Sequence, residues 1–144
     1  MKDNAKILII DDDADIVETM KIILESKNYR IISAFNREDG LKKAVAEKPD
    51  LILLDVMMSS SIDGFHAAYD IRSNTDIRYT PILMITSIRE KTGVRYSPDT
   101  DGEFLPVDDF IEKPVQPEDL IKRVKNLLAL KKEEINIAGR TDIL

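Results

Sequence analysis

The chain has 144 residues, 43% of them hydrophobic and 33% charged, with a formal net charge of −6 at pH 7 and no cysteine. That length supports one domain with an ordinary core, and the lack of cysteine excludes a disulfide framework, a thiolate metal site and a cysteine nucleophile. The acidic balance, without a basic stripe to neutralise phosphates, argues against a nucleic-acid partner. The first apolar run stops at Asp11, too soon for a signal peptide, and no later run approaches a membrane span; a cytoplasmic domain without a membrane partner is expected.

Strands and helices are predicted to alternate. Lys6–Ile10 is aliphatic after its lysine, as expected of a strand buried on both faces of a parallel sheet. Ile16, Met20, Ile23 and Leu24 then recur at helical spacing. Tyr29–Phe35 reads as a second strand, and Leu41, Ala44 and Val45 as the apolar side of a second helix. Asp50–Val56 is a third strand with an aliphatic interior, and Asp63–Ser73 a helix with Phe65, Ala68 and Ile71 on one side. Pro81–Ser87 and Asp109–Lys113 are the fourth and fifth strands.

Between those two, Ile88–Asp108 breaks the alternation, because Gly93, Pro98, Gly102 and Pro106 are spread through it. Inside a helix Pro costs about 3 kcal/mol and Gly about 1. One or two turns near Ile88–Lys91 are the most expected there, so the fourth helix is shortened or replaced by a loop. Leu120, Ile121, Val124, Leu127 and Leu128 form the stripe of a last helix. The pattern indicates an α/β domain over residues 1–130, followed by a C-terminal tail, 131–144, with a loose end.

Three aspartates, Asp11, Asp12 and Asp13, stand where the first strand ends. Asp55 closes the third strand, Thr86 the fourth and Lys113 the fifth. In an open α/β sheet, ligands bind beyond the carboxyl ends of the strands, where strand order reverses. If the first and third strands are neighbours, the carboxylates of Asp11, Asp12 and Asp55 share a crevice with a hydroxyl and an ammonium. Oxygen donors suit a hard cation, and Mg²⁺ is usually held by one or two carboxylates, waters and a phosphate. A carboxylate there can attack phosphorus to give an aspartyl phosphate. Mg²⁺, Lys113 and Thr86 would then stabilise the phosphoryl oxygens. Asp13 and Asp15 are accounted for as residues of a helix start. His66 is expected on the exposed side of its helix and is assigned no role.

The stretches "IIDDD", "LILLDVMM", "ILMITS" and "DFIEKPV", in this order, resemble the response-regulator receiver domain of two-component signalling, over about Ala5 to Leu130. The resemblance implies a flavodoxin-like, doubly wound, five-stranded parallel sheet of order 2-1-3-4-5. It implies Asp55 as phosphoacceptor, supplied by a histidine kinase or a phosphotransfer protein. It further implies Mg²⁺ bound directly by Asp12, largely through water by Asp11, and by Asp55 and the backbone carbonyl of Met57. Thr86 and Lys113 would contact the phosphoryl group, Thr86 and Phe110 would form the switch, and the Lys113–Pro114 bond would be cis. Such a domain phosphorylates and dephosphorylates itself but is not an enzyme for an external substrate. Because little chain follows the last helix, a stand-alone regulator acting on a downstream protein target is expected.

Asp11-x-Asp13 also resembles the nucleophile motif of haloacid-dehalogenase-type Mg²⁺-dependent phosphatases, with Asp11 as nucleophile and Asp13 as acid/base. That alternative leaves Asp55 without a role, and only "QPEDL" follows Lys113 where a further acidic motif is needed. Two departures from the receiver pattern stand out. Ser59 occupies the place where Pro is customary, and the 88–108 interval falls where dimers and partners commonly dock. Met57 and Ile88 are apolar and cannot hydrogen-bond a hydrolytic water, so a phospho-form longer-lived than one with Asn at position 57 is expected.

Overall fold

In the computed structural model the described residues are 4–55, 63–86 and 107–143, with the backbone alone at 63–65 and 131–143. The strands are β1 (Lys6–Ile10), β2 (Arg30–Ala34), β3 (Leu51–Asp55), β4 (Ile82–Thr86) and β5 (Asp109–Glu112). The helices are α1 (Ala14–Glu25), α2 (Arg37–Glu47), α3 (Asp63–Ser73) and a C-terminal helix (Pro117–Ile143). All strand pairs are parallel, in the order β2-β1-β3-β4-β5 expected from the sequence.

The aliphatic runs produce this arrangement because successive side chains of a strand face opposite sides of the sheet. Leu8, Ile10, Ile52, Leu54, Ile82 and Met84 face one side, against Ala44 of α2 and Ala67, Ala68 and Ile71 of α3. Ile7, Ile9, Leu53, Leu83, Ile85 and Ile111 face the other, against α1 and the C-terminal helix. In α1 the buried residues are Val17, Met20 and Leu24. Ile16 and Ile23, expected in its stripe, are half-buried beside them, so the stripe is turned slightly from its expected centre.

β2 is shorter than its predicted run at both ends. The Tyr29 N–H goes to the Leu24 carbonyl at 3.3 Å, closing the end of α1 rather than extending the ladder. The last helix is longer than expected. It continues through residues 131–143, where the sequence reading placed a loose end. One glycine at position 139 costs only about 1 kcal/mol against a run of good helix formers. Among the described residues no helix is long and apolar enough to cross a membrane. The expectations for Met57, Ser59, Ile88 and the helix or loop between β4 and β5 lie outside the described residues, except for 107–108.

Candidate functional site

β1 has β2 on one side and β3 on the other, so the chain reverses direction of travel across the sheet between β1 and β3. Of the side chains singled out in the sequence, those of Asp11, Asp12, Asp55 and Lys113 meet just beyond those strand ends. Asp11, Asp55 and Thr86 are buried, at 0%, 2% and 4% exposure, whereas Asp12 is exposed. One oxygen each from Asp11, Asp12 and Asp55 lies within 4.8 Å of the other two.

Backbone bonds fix this cluster. The Asp11 N–H donates to the Ala34 carbonyl at 3.1 Å, so Asp11 continues the β1–β2 ladder by one rung. Asp11 Oδ1 accepts the Asp13 N–H at 2.9 Å, while Asp11 Oδ2 is buried with no hydrogen-bond partner among the described residues. Lys113 approaches from β5, its N–H donating to the Thr86 carbonyl at 2.9 Å. Its Nζ stands 3.4 Å from Asp55 Oδ1, and the Lys113–Pro114 bond is cis, as expected.

Burial raises the Asp11 carboxyl from 3.8 to a pKa of about 7. The Asp13 N–H opposes that rise, the charge of Asp55 adds to it and Lys113 opposes it again. Lys113 therefore sets a single positive charge against three carboxylates, two of them buried. An all-oxygen donor set, with one buried oxygen that has no partner among the described residues, fits a hard divalent cation such as Mg²⁺. The Met57 carbonyl lies outside the described residues.

Asp13 turns away from the cluster. Its carboxylate is the N-cap of α1, with Oδ1 accepting the N–H groups of Asp15 at 3.0 Å and Ile16 at 3.3 Å. A side chain committed to a cap is poorly placed to shuttle protons, which removes the structural basis for the Asp11-x-Asp13 phosphatase alternative. Phe110 is half-buried and packs against the core on the α2–α3 side of the sheet. His66 is exposed. A cavity of about 290 Å³ is lined by Lys113 itself, by Ile16, Met20 and Ile23 of α1 and by Pro114 and Val115. Sequence reasoning missed it; the one signal was that α1 carries more aliphatic residues than its buried face uses.

Residues 7–125 match the family of the response regulator receiver domain. The chain belongs to that family. It is 38% identical over 125 residues to the alkaline phosphatase synthesis transcriptional regulatory protein PhoP of Bacillus subtilis (strain 168), covering 87% of this chain and 49% of PhoP. It is 37% identical over 123 residues to the transcriptional regulatory protein ResD of the same organism, covering 85% of this chain and 48% of ResD. The receiver chain thus spans about half the length of the curated relatives it matches. Among solved structures, the chemotaxis response regulator CheY4 of Vibrio cholerae superimposes with a TM-score of 0.74 at 28% identity, covering 87% of this chain and 99% of that one. A CheY-like receiver domain protein of Methanospirillum hungatei JF-1 gives 0.76 at 26% identity, covering 92% and 99%. The fold is the flavodoxin-like receiver fold, and the family is that of two-component signalling.

Proposed function

We propose that this receiver domain accepts a phosphoryl group on Asp55 from a histidine kinase or phosphotransfer protein, and passes the change on through protein contacts. The observation that carries the reading is the placement of Asp55: buried at the end of a central strand, with Lys113 3.4 Å away on one side and Asp11 and Asp12 on the other. An Asp55 carboxylate oxygen attacks phosphorus, the bond from phosphorus to the donor imidazole nitrogen breaks, and the imidazole leaves with the electron pair. The product is an aspartyl phosphate; attack by water on its phosphorus returns the carboxylate and inorganic phosphate.

Asp11 and Asp12, with Asp55, would hold Mg²⁺, which when bound supplies positive charge to the phosphoryl oxygens. Lys113 supplies a further charge from the β5 side, and the Thr86 hydroxyl a hydrogen bond from the end of β4. Burial of Asp55 keeps bulk water from competing for those donors. Thr86 and Phe110 would carry the rearrangement to the surface. The domain acts on itself and has no external substrate to turn over.

Incubation with acetyl phosphate and Mg²⁺ tests this. One labile phosphate per chain is expected, abolished by Asp55→Asn. Sustained phosphomonoester hydrolysis surviving that substitution would remove the reading.

A further inference from the structure

β2 closes one end of the sheet and, among the described residues, pairs with β1 alone. Two bonds show which of its backbone groups face that neighbour. The Arg30 N–H donates to the Ala5 carbonyl at 2.9 Å, and the Ala34 carbonyl accepts the Asp11 N–H at 3.1 Å. Alternate residues of a strand face opposite ways, so Ile31 and Ser33 turn their N–H and carbonyl groups to the free edge. After Arg30 the strand carries no charge, and Ile31, Ile32 and Ser33 are half-buried rather than covered. The opposite edge strand, β5, has Asp109 and Glu112 among its own four residues.

At Ser33 the free edge is nonetheless closed. Lys43 Nζ, from α2, donates to the Ser33 carbonyl at 2.7 Å, and Asp39 Oδ2, one turn earlier, lies 3.5 Å from the same ammonium. We propose that Lys43 guards a self-complementary edge, keeping β2 of this chain from pairing antiparallel with β2 of a second copy. Ser33 is the centre that such a pair would use. About a two-fold axis there, the Ser33 N–H of each copy would donate to the Ser33 carbonyl of the other. Ile32 would stand opposite Ala34, and Ile31 opposite Phe35, an exposed aromatic just past the strand.

Lys43 opposes this pairing in two ways. Its ammonium occupies the acceptor that the incoming N–H needs, and it has only donors, so it offers the newcomer nothing in return. Across the axis it would also meet its own counterpart, because each Nζ lies 2.7 Å from a carbonyl at the centre of the pair. Like charges facing each other across paired strands are destabilising. A lysine set on a free edge is a general defence against strand addition; here it comes from the neighbouring helix rather than from the strand. The device goes beyond the phosphoacceptor reading and does not depend on it.

Sedimentation of the full chain over a concentration series, without acetyl phosphate or Mg²⁺, tests the guard. Wild type and Lys43→Arg, which keeps the charge and the donors, are expected to sediment alike. Lys43→Met and Lys43→Ala are each expected to self-associate at least about tenfold more tightly, which two new backbone bonds and one lost repulsion can supply. Ser33→Pro removes the outward N–H without touching the β1 ladder. Added to Lys43→Met it should restore wild-type behaviour, and alone it should change nothing. Both Lys43 variants sedimenting like wild type, with an unchanged circular dichroism spectrum, would overturn the proposal. So would association of Lys43→Met but not Lys43→Ala, which would trace to added apolar surface, or association that survives Ser33→Pro. A wild-type dimer broken by Ser33→Pro would show the edge to be open despite Lys43, and would overturn it equally.

Discussion

Asp11 shows how a site can hold charge that the fold itself disfavours. Its carboxyl is fully buried, has one oxygen without a hydrogen-bond partner among the described residues and faces Asp55, and burial is the main reason its pKa rises to about 7. The folded pKa lies above the unfolded one, so the folded state holds this proton more tightly. The contribution to stability is fully present below about pH 3.8 and is lost as the pH climbs through about 7. At about 1.4 kcal/mol per pKa unit the loss is roughly 4 kcal/mol at most. Urea denaturation of Mg²⁺-free protein should show the midpoint falling from about pH 5 to about pH 8. Added Mg²⁺ should restore it at the alkaline end, because the cation favours the ionised carboxylates. Asp11→Asn should flatten the profile; an unchanged slope in that variant would show that another group is responsible.

At the level of single elements, α2 carries an internal glycine for a reason of packing. A Cβ on Gly40 would stand 2.7 Å from Ile10 Cδ1 and 3.0 Å from Ile10 Cγ1 and Cγ2. Ile10 is itself fully buried, so it has little room to give way. Gly40→Ala gains about 1 kcal/mol of helix propensity but overpacks the core at a cost of about 1–3 kcal/mol. A net loss of roughly 1 kcal/mol is expected in chemical denaturation; a stabilised variant would mean that α2 can move outward freely. This contact was not legible in the sequence, since it depends on which strand residue meets the glycine. The strands were legible because burial on both faces leaves long aliphatic runs, and the site was legible because Asp11, Asp55, Thr86 and Lys113 all fall at strand ends that must converge. The helix-start role of Asp13 was legible too, but the split between buried Asp11 and exposed Asp12 and the 2.9 Å Arg123–Asp109 ion pair depend on helix phase and side-chain direction. Periodicity constrains those only loosely, as the half-buried Ile16 beside buried Val17 also shows.

At the scale of the molecule, the sheet has a seam between β4 and β5. β5 is an edge strand of four residues that pairs with β4 alone, yet it carries Phe110 and leads into Lys113. At its start, a side chain extends the ladder. The Asp108 N–H donates to the Ile82 carbonyl at 2.9 Å, and Asp108 Oδ2 accepts the Ile82 N–H at 2.8 Å. The same oxygen accepts Arg72 Nη2 at 2.7 Å, while Arg72 Nη1 donates to the carbonyls of Arg78 and Thr80. α3, the turn before β4 and the entry to β5 are thus fastened at one carboxylate. Asp108→Ala leaves the Ile82 N–H, on a fully buried residue, without that acceptor, which costs about 1–3 kcal/mol. Arg72 keeps its two carbonyls, so its half-exposed ion pair adds little. Because the lost bond lies on the seam, the damage should be regional: hydrogen exchange should quicken in β5 and the first turns of the C-terminal helix, with β1 and β3 nearly unchanged. Asp108→Asn, which keeps an acceptor oxygen for Ile82, should show a smaller effect of the same kind. Equal acceleration in every strand would mean that the sheet opens as one unit and that β5 is no more weakly held than the rest.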